Sequence, residues 1–219
     1  MEVILAKSAG FCFGVRRAVN EVYRCLEEEK DTPIYTFGPI IHNDEVVNDL
    51  KNKGVQVVDT LESLAALKKG IVIIRSHGVS RDTETKMREL GMRVIDMTCP
   101  FVKKIHRLVE EKSKEGYQIV IAGNPEEAQK LVLDPKKPVF VAAQTTFHYI
   151  KFQNIVDQLE KKEYNINCVN TICNATRNRQ EEAASLAASV DGMLVIGGSH
   201  SSNTQKLFEI CKKECNNTH

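Results

Sequence analysis

Residues 70–78 read Gly-Ile-Val-Ile-Ile-Arg-Ser-His-Gly, a short apolar run from Gly70 to Ile74 that ends in the polar string Arg75-Ser76-His77-Gly78. The run reads as a strand. It is followed by a helix-period stretch, Ser80–Leu90, then by Gly91 and a further short run, Arg93–Asp96. Strand, polar loop, helix and strand make the repeating unit of an α/β protein with a mostly parallel sheet.

The same alternation extends in both directions. Further strands are expected at Glu2–Ala6, Pro33–Phe37, Val55–Val58, Gln118–Ala122, Pro138–Ala142, Ile166–Val169 and Met193–Ile196. Helices are expected at Val15–Lys30, Asp44–Lys53, Phe101–Glu115, Tyr149–Glu160, Arg177–Ala188 and Thr204–Lys213. Gly54, Gly91 and Gly116 stand where helix C-caps belong. No linker or low-complexity tract divides the 219 residues, whose length suits one to three small domains.

Composition narrows the class. The chain is 42% hydrophobic and 27% charged, with a net charge of +1. That balance argues against a nucleic-acid protein built on a strongly basic field. No apolar run approaches the roughly 18 residues of a membrane span. The first residues, Met-Glu-Val-Ile-Leu-Ala-Lys, are too charged for a signal peptide, so a cytoplasmic location is expected. Seven cysteines in such a chain are a poor disulfide framework, and some become candidate metal ligands.

The residues after the strands carry the chemistry. The expected loops hold Cys12, His42-Asn43, Arg75-Ser76-His77, Thr98-Cys99, Asn124-Pro125-Glu126, Gln144-Thr145-Thr146, Thr171-Ile172-Cys173 and Ser199-His200-Ser201-Ser202-Asn203. In parallel α/β sheets ligands bind beyond the carboxyl ends of the strands. Cys12, Cys99 and Cys173 share one setting: each precedes a helix and has a basic residue four positions later (Arg16, Lys103, Arg177). Three such units around a pseudo-threefold axis would bring the cysteines together. A helix N-terminus favours the thiolate, and thiolates bind soft metals. Zinc and an iron–sulfur cluster both suit three thiolates, although no Cys-x-x-Cys pair is present. His42, His77, Ser201, Ser202 and Asn203 are donors suited to an anion, although Ser-Ser-Asn is also a good N-cap string.

Seven strings carry a resemblance to a known family. They are Ala9-Gly-Phe-Cys12-Phe-Gly-Val, Gly38-Pro-Ile-Ile-His42-Asn, Arg75-Ser-His77-Gly-Val, Met97-Thr-Cys99-Pro, Ala143-Gln-Thr145-Thr146, Asn170-Thr-Ile-Cys173-Asn-Ala-Thr and Ser201-Ser202-Asn203. In this order, over nearly the whole chain, they resemble the 4-hydroxy-3-methylbut-2-enyl diphosphate reductases. The resemblance implies a trefoil of three small α/β domains around a [4Fe–4S] cluster. Its expected partition is residues 12–97, a shortened 98–190, and 1–11 with a truncated 191–219. It further implies Cys12, Cys99 and Cys173 as cluster ligands, and His42, His77, Ser201, Ser202 and Asn203 as the diphosphate site. Thr145 would lie near the substrate hydroxyl, and Glu126 would be the proton donor. The implied reaction is two-electron reductive dehydroxylation of an allylic diphosphate, with a ferredoxin or flavodoxin as electron donor.

Three departures accompany it. Asn124-Pro125-Glu126 stands where the family reads His-Pro-Glu, before an unusually short connection. Either Glu126 is the family acid, or that motif is deleted and the match is coincidental. The chain also stops at His219, and His200 replaces an Asn. Two other readings therefore stand beside the reductase: an inactive relative that keeps a cluster or diphosphate pocket, and a zinc-stabilised binding module. Cys25 and Cys168 read as packed core. Cys211, Cys215 and His219 recur every four residues, and read either as structure or as a metal trio.

Overall fold

The computed structural model describes residues 2–122 and 130–219. The chain divides into two compact units, Gly10–Lys103 with Gly198–His200, and Met1–Ala9 with Lys104–Gly197 and Ser201–His219. Each contains one parallel sheet.

The Gly10–Lys103 unit runs α1 (Phe13–Glu28), β1 (Ile34–Phe37), α2 (Asp44–Asn52), β2 (Gln56–Val58), α3 (Leu61–Ala65), β3 (Ile71–Ile74), α4 (Arg81–Glu89) and β4 (Arg93–Asp96). The sheet order is β2-β1-β3-β4. Central β3 pairs Ile71–Ile74 with Ile34–Phe37 on one side and with Arg93–Asp96 on the other. Strand geometry sends alternate side chains to opposite faces. Ile71 and Ile73 accordingly pack with Ala18, Val22, Ile34 and Leu50. Val72 and Ile74 pack with Leu64, Met87 and Met92. Helices thus cover both faces, which is why residues 71–74 are apolar without alternation. Full burial of each such side chain stabilises the fold by roughly 1.5–3 kcal/mol.

In the other unit α5 (Pro100–Lys114), which starts at the division, is followed by β5 (Gln118–Ala122), β6 (Val139–Ala143), α6 (Tyr149–Lys161), β7 (Ile166–Val169), α7 (Asn174–Ala187) and α8 (Ser202–Glu214). The sheet order is β5-β6-β7. All five residues of central β6 are buried. Val139, Val141 and Ala143 join Phe147, Phe152, Ile155 and Leu159 in the core beneath α6. Cys211 and Cys215 pack against Ala183 and Ala187, joining α8 to α7.

Seven of the nine expected strands form, β4, β5 and β7 at the expected residues. Two do not. Residues 2–6 are not in a strand, and Val3 and Leu5 are each 81% exposed. At 193–196 only an isolated bridge, Met193 to Thr218, is made. Both segments are apolar, but among the described residues 2–6 lie beside no strand, and 193–195 exchange backbone hydrogen bonds only with the three residues 217–219, too short a ladder to form a strand. The helix α3, five residues long, is too short to show a period and was not expected. Gly54, Gly91 and Gly116 adopt φ of 95°, 78° and 85°, the left-handed conformation that closes a helix with little strain in glycine. Among the described residues no helix is long and apolar enough to cross a membrane.

Candidate metal and anion site

The three candidate ligand cysteines occupy one local conformation. The carbonyl oxygens of Cys12, Cys99 and Cys173 accept the N–H groups of Arg16 (2.9 Å), Lys103 (2.9 Å) and Arg177 (3.0 Å). Each therefore stands at the first turn of its helix, with the expected basic residue closing that turn. Cys12 is the N-cap of α1 with no side-chain cap bond, leaving its sulfur uncommitted. Cys173 caps α7, and its sulfur accepts from the Thr176 N–H at 3.4 Å. All seven cysteines are free thiols. Cys12, Cys99 and Cys173 are each partly accessible.

In the Gly10–Lys103 unit, α1 and the end of β3 place Cys99. A Cβ at Gly14 would stand 2.7 Å from the Cys99 sulfur, so the missing side chain is what seats that sulfur on the first turn of α1. Arg17, one turn along, donates from Nη2 to the Thr98 carbonyl at 2.7 Å. The Cys99 N–H is held by the Ser76 carbonyl at 2.9 Å. Cys12 and Cys99 are thereby organised by one helix turn.

The loop that holds Cys99 also carries His77. The His42 and His77 rings lie 4.9 Å apart between centroids, tilted by 45°. Desolvation, then the charges of Arg75 and His200, hold the His42 pKa below the ordinary imidazole value, while Asp44 acts weakly in the opposite direction. Desolvation by the surrounding protein, then His42 and Arg75, pulls His77 down further, to about 4, although the residue keeps solvent access. Both rings are therefore neutral at neutral pH, each with an N–H to donate. Gly198 packs on this pair from the distant part of the chain: a Cβ there would stand 2.1 Å from the His42 carbonyl oxygen.

In the other unit the loop after β6 gathers the remaining candidates. The Cys173 N–H donates to the Thr145 carbonyl at 3.1 Å. The neighbouring Thr146 donates from its hydroxyl to Ser202 at 3.1 Å. Ser201 caps α8 through the Thr204 N–H at 3.4 Å, so it fulfils the helix-cap reading. Ser201, Ser202 and Asn203 all retain partial exposure at the positive end of α8.

The structure thus brings His42 to His77, Cys99 to the Cys12 helix, and Thr145 to Cys173 and, through Thr146, to Ser202. Glu126, with Asn124 and Pro125, lies outside the described residues. Within either unit, no three His, Cys, Asp or Glu side chains among the described residues gather as a metal site. Cys25 is buried in the α1 core, as expected. Cys168 is not core: it pairs with core residue Val141, but on the edge strand β7 it is left exposed. Cys211 and Cys215 are buried, with their thiols directed at the Ala183 and Val190 carbonyls, and His219 is exposed; the metal-trio reading is not supported. Gly14, Arg17 and Thr146 were missed. Their roles depend on contacts distant in sequence, although Gly14 and Thr146 lie inside strings already singled out.

Comparison with known proteins follows the same residues. The LytB protein family profile matches residues 3–219. A protein of Caldanaerobacter subterraneus subsp. tengcongensis named 4-hydroxy-3-methylbut-2-enyl diphosphate reductase is 44% identical over all of this chain and 83% of its own length. One of the same name from Alkaliphilus oremlandii is 42% identical over 98% of this chain and 83% of its own. The solved E-1-hydroxy-2-methyl-but-2-enyl-4-diphosphate reductase from Plasmodium falciparum superposes with a TM-score of 0.86 at 30% identity, covering 93% of this chain and 71% of that one. A second solved structure, (E)-4-hydroxy-3-methyl-but-2-enyl diphosphate reductase, described as the terminal enzyme of the non-mevalonate pathway, gives 0.70 at 37% identity over 99% and 84%.

Proposed function

The chain belongs to the LytB protein family, and from that premise we propose that it is a 4-hydroxy-3-methylbut-2-enyl diphosphate reductase. It removes the allylic hydroxyl of its substrate: the C–O bond breaks, two electrons and two protons are taken up, and water leaves with isopentenyl or dimethylallyl diphosphate as product. The observation that carries this reading is the common setting of Cys12, Cys99 and Cys173, each a free thiol opening a helix inside a family string.

That donor set fits a [4Fe–4S] cluster held by three cysteines. When bound, the cluster supplies electrons and a Lewis-acidic iron with an open coordination position. The chain's own residues do the rest. Gly14 and Arg17 set Cys99 against the start of α1. His42 and His77 donate to diphosphate oxygens, and Ser201, Ser202 and Asn203 add hydroxyl, amide and helix-end N–H groups. The Thr145 hydroxyl orients the substrate hydroxyl, its backbone being tied to Cys173. Glu126 delivers the proton that makes the leaving group water. Electrons arrive one at a time from a ferredoxin or flavodoxin, in the cytoplasm. Residues 12–97, 98–190, and 1–11 with 191–219 are the three domains of this arrangement.

The inactive-relative reading is not favoured, because catalytically named relatives match from one end of the chain to the other at 42–44% identity. The deciding experiment is turnover of the hydroxylated allylic diphosphate by anaerobically reconstituted protein with dithionite-reduced viologen. Diphosphate products at a rate above protein-free controls are expected. No product from protein carrying a full cluster would overturn the assignment.

A further inference from the structure

Arg75 follows β3 and is not accounted for by the fold. Its Nε is buried without a hydrogen-bond partner among the described residues. Among those residues no carboxylate pairs with it either, whereas Arg24, Arg88, Arg93 and Arg177 all have carboxylate partners. An arginine this enclosed usually has an anion to bind, because leaving a buried charged donor unpaired costs more than the bond it would make. Its guanidinium is also given room. Gly38, at φ 71°, lies beneath it, and a Cβ there would stand 2.4 Å from Nη1 and 3.0 Å from Cζ. Gly38 follows β1 and Arg75 follows β3, which are neighbours in the sheet, so the guanidinium lies across the carboxyl ends of two adjacent strands. That is where parallel sheets bind ligands. The His42–His77 ring pair stands in the loops that leave the same two strands, and the Arg75 charge acts on both rings.

We propose that Arg75 is a third anion-binding side chain of the His42–His77 site, its guanidinium taking diphosphate oxygens that the two imidazoles also contact. The proposal rests on the diphosphate reading of that pair given above, and assigns the site its one permanent positive charge. Two neutral imidazoles offer hydrogen bonds but no net charge, whereas a guanidinium offers a planar fork of charged donors matched to phosphate. Gly38 is glycine, on this account, to admit that fork as well as to make its turn.

The test is calorimetric titration of inorganic pyrophosphate into the reconstituted full chain, for wild type, Arg75→Met and Arg75→Lys, at low and moderate salt, with KM and kcat from viologen turnover. The Met variant should bind at least about tenfold more weakly and lose part of the salt dependence. KM should rise by more than kcat falls. The Lys variant should recover the salt dependence but not the full affinity, because it keeps the charge and loses the fork. Met-variant binding within about twofold of wild type, with unchanged salt dependence, would overturn the proposal. Should the Met variant not fold, a Lys variant equal to wild type in affinity and KM overturns it. The two readings fail separately. Arg75-dependent pyrophosphate binding without turnover removes the reductase and keeps Arg75, whereas turnover with an unchanged KM in the Met variant does the reverse.

Discussion

The sulfur of Cys99 rests on the bare Cα of Gly14, where even a methyl group would come within 2.7 Å of it. Gly14 lies in the first turn of α1, the helix capped by Cys12, so one glycine governs how closely two proposed ligands approach. Gly14→Ala separates the two consequences. Alanine favours helix by up to about 1 kcal/mol over glycine, so α1 itself should not weaken. The displaced sulfur should lower the iron bound per chain on reconstitution, read against an unchanged far-ultraviolet circular dichroism spectrum. Wild-type iron content in this variant would show that the close approach has no bearing on the metal.

The cysteines outside the proposed set provide a contrast. Cys25→Ala removes a buried sulfur from the α1 core and should cost about 1–2 kcal/mol in denaturant unfolding. Iron content should stay at the wild-type level. Cys168→Ala, at an exposed position of β7, should change neither stability nor iron. Loss of iron in either variant would point to a different ligand set.

The sequence was most legible where neighbours in the chain are also neighbours in space. β5 forms at its expected residues because Gly116 closes the helix before it and a compact apolar run follows. The cysteine-led helix starts were likewise readable, since an N-cap and its fourth residue lie within one turn. Hydrophobicity alone misled at residues 2–6 and 193–196, because an apolar run becomes a strand only beside another strand. Cys168 was misjudged for a related reason: it shares a sheet face with core residue Val141, but β7 is an edge strand and the cover over that face does not reach this residue. The role of Gly14 could not be read at all, since it is defined by a sulfur eighty-five positions away (99 − 14).

Anion binding should strengthen as pH falls from about 8 towards 5.5. Both imidazoles are held below the ordinary histidine value of 6.5 in the free protein by desolvation and by neighbouring charges: Arg75 and His200 for His42, and His42 and Arg75 for His77, with Asp44 opposing at His42. A diphosphate favours their protonated forms, so binding takes up protons. Titration of pyrophosphate in two buffers of different ionisation enthalpy at pH 6.5 should report more proton uptake, or less release, for wild type than for His42→Asn, the ligand's own ionisation being common to both. An equal proton count in the two would contradict the arrangement.

The same depression has a stability counterpart. The unfolded chain binds the His77 proton near pH 6.5, but the folded chain only near 4. The neutral ring's contribution is therefore complete above pH 6.5 and is lost as pH falls through that window. Thermal melts of His77→Asn should lose less stability than wild type between pH 7 and pH 5; an equal loss would remove this linkage.

Thr146→Val keeps the shape of the side chain and deletes its hydroxyl, and with it the bond to Ser202. A single hydrogen bond of this kind is worth about 1 kcal/mol. The expected result is a KM a few-fold higher with kcat little changed, since the bond positions a proposed diphosphate donor and not a group proposed to act at the reacting carbon. A fall in kcat at constant KM would place Thr146 in the chemistry instead.

The account depends most on Cys12, Cys99 and Cys173 acting as one ligand set. Iron and acid-labile sulfide should be counted per chain after anaerobic reconstitution of wild type and of the three single alanine variants. About four iron and four sulfide in the wild type, with marked loss in every variant, is the predicted outcome. Full iron and sulfide in any one of the three variants would contradict it.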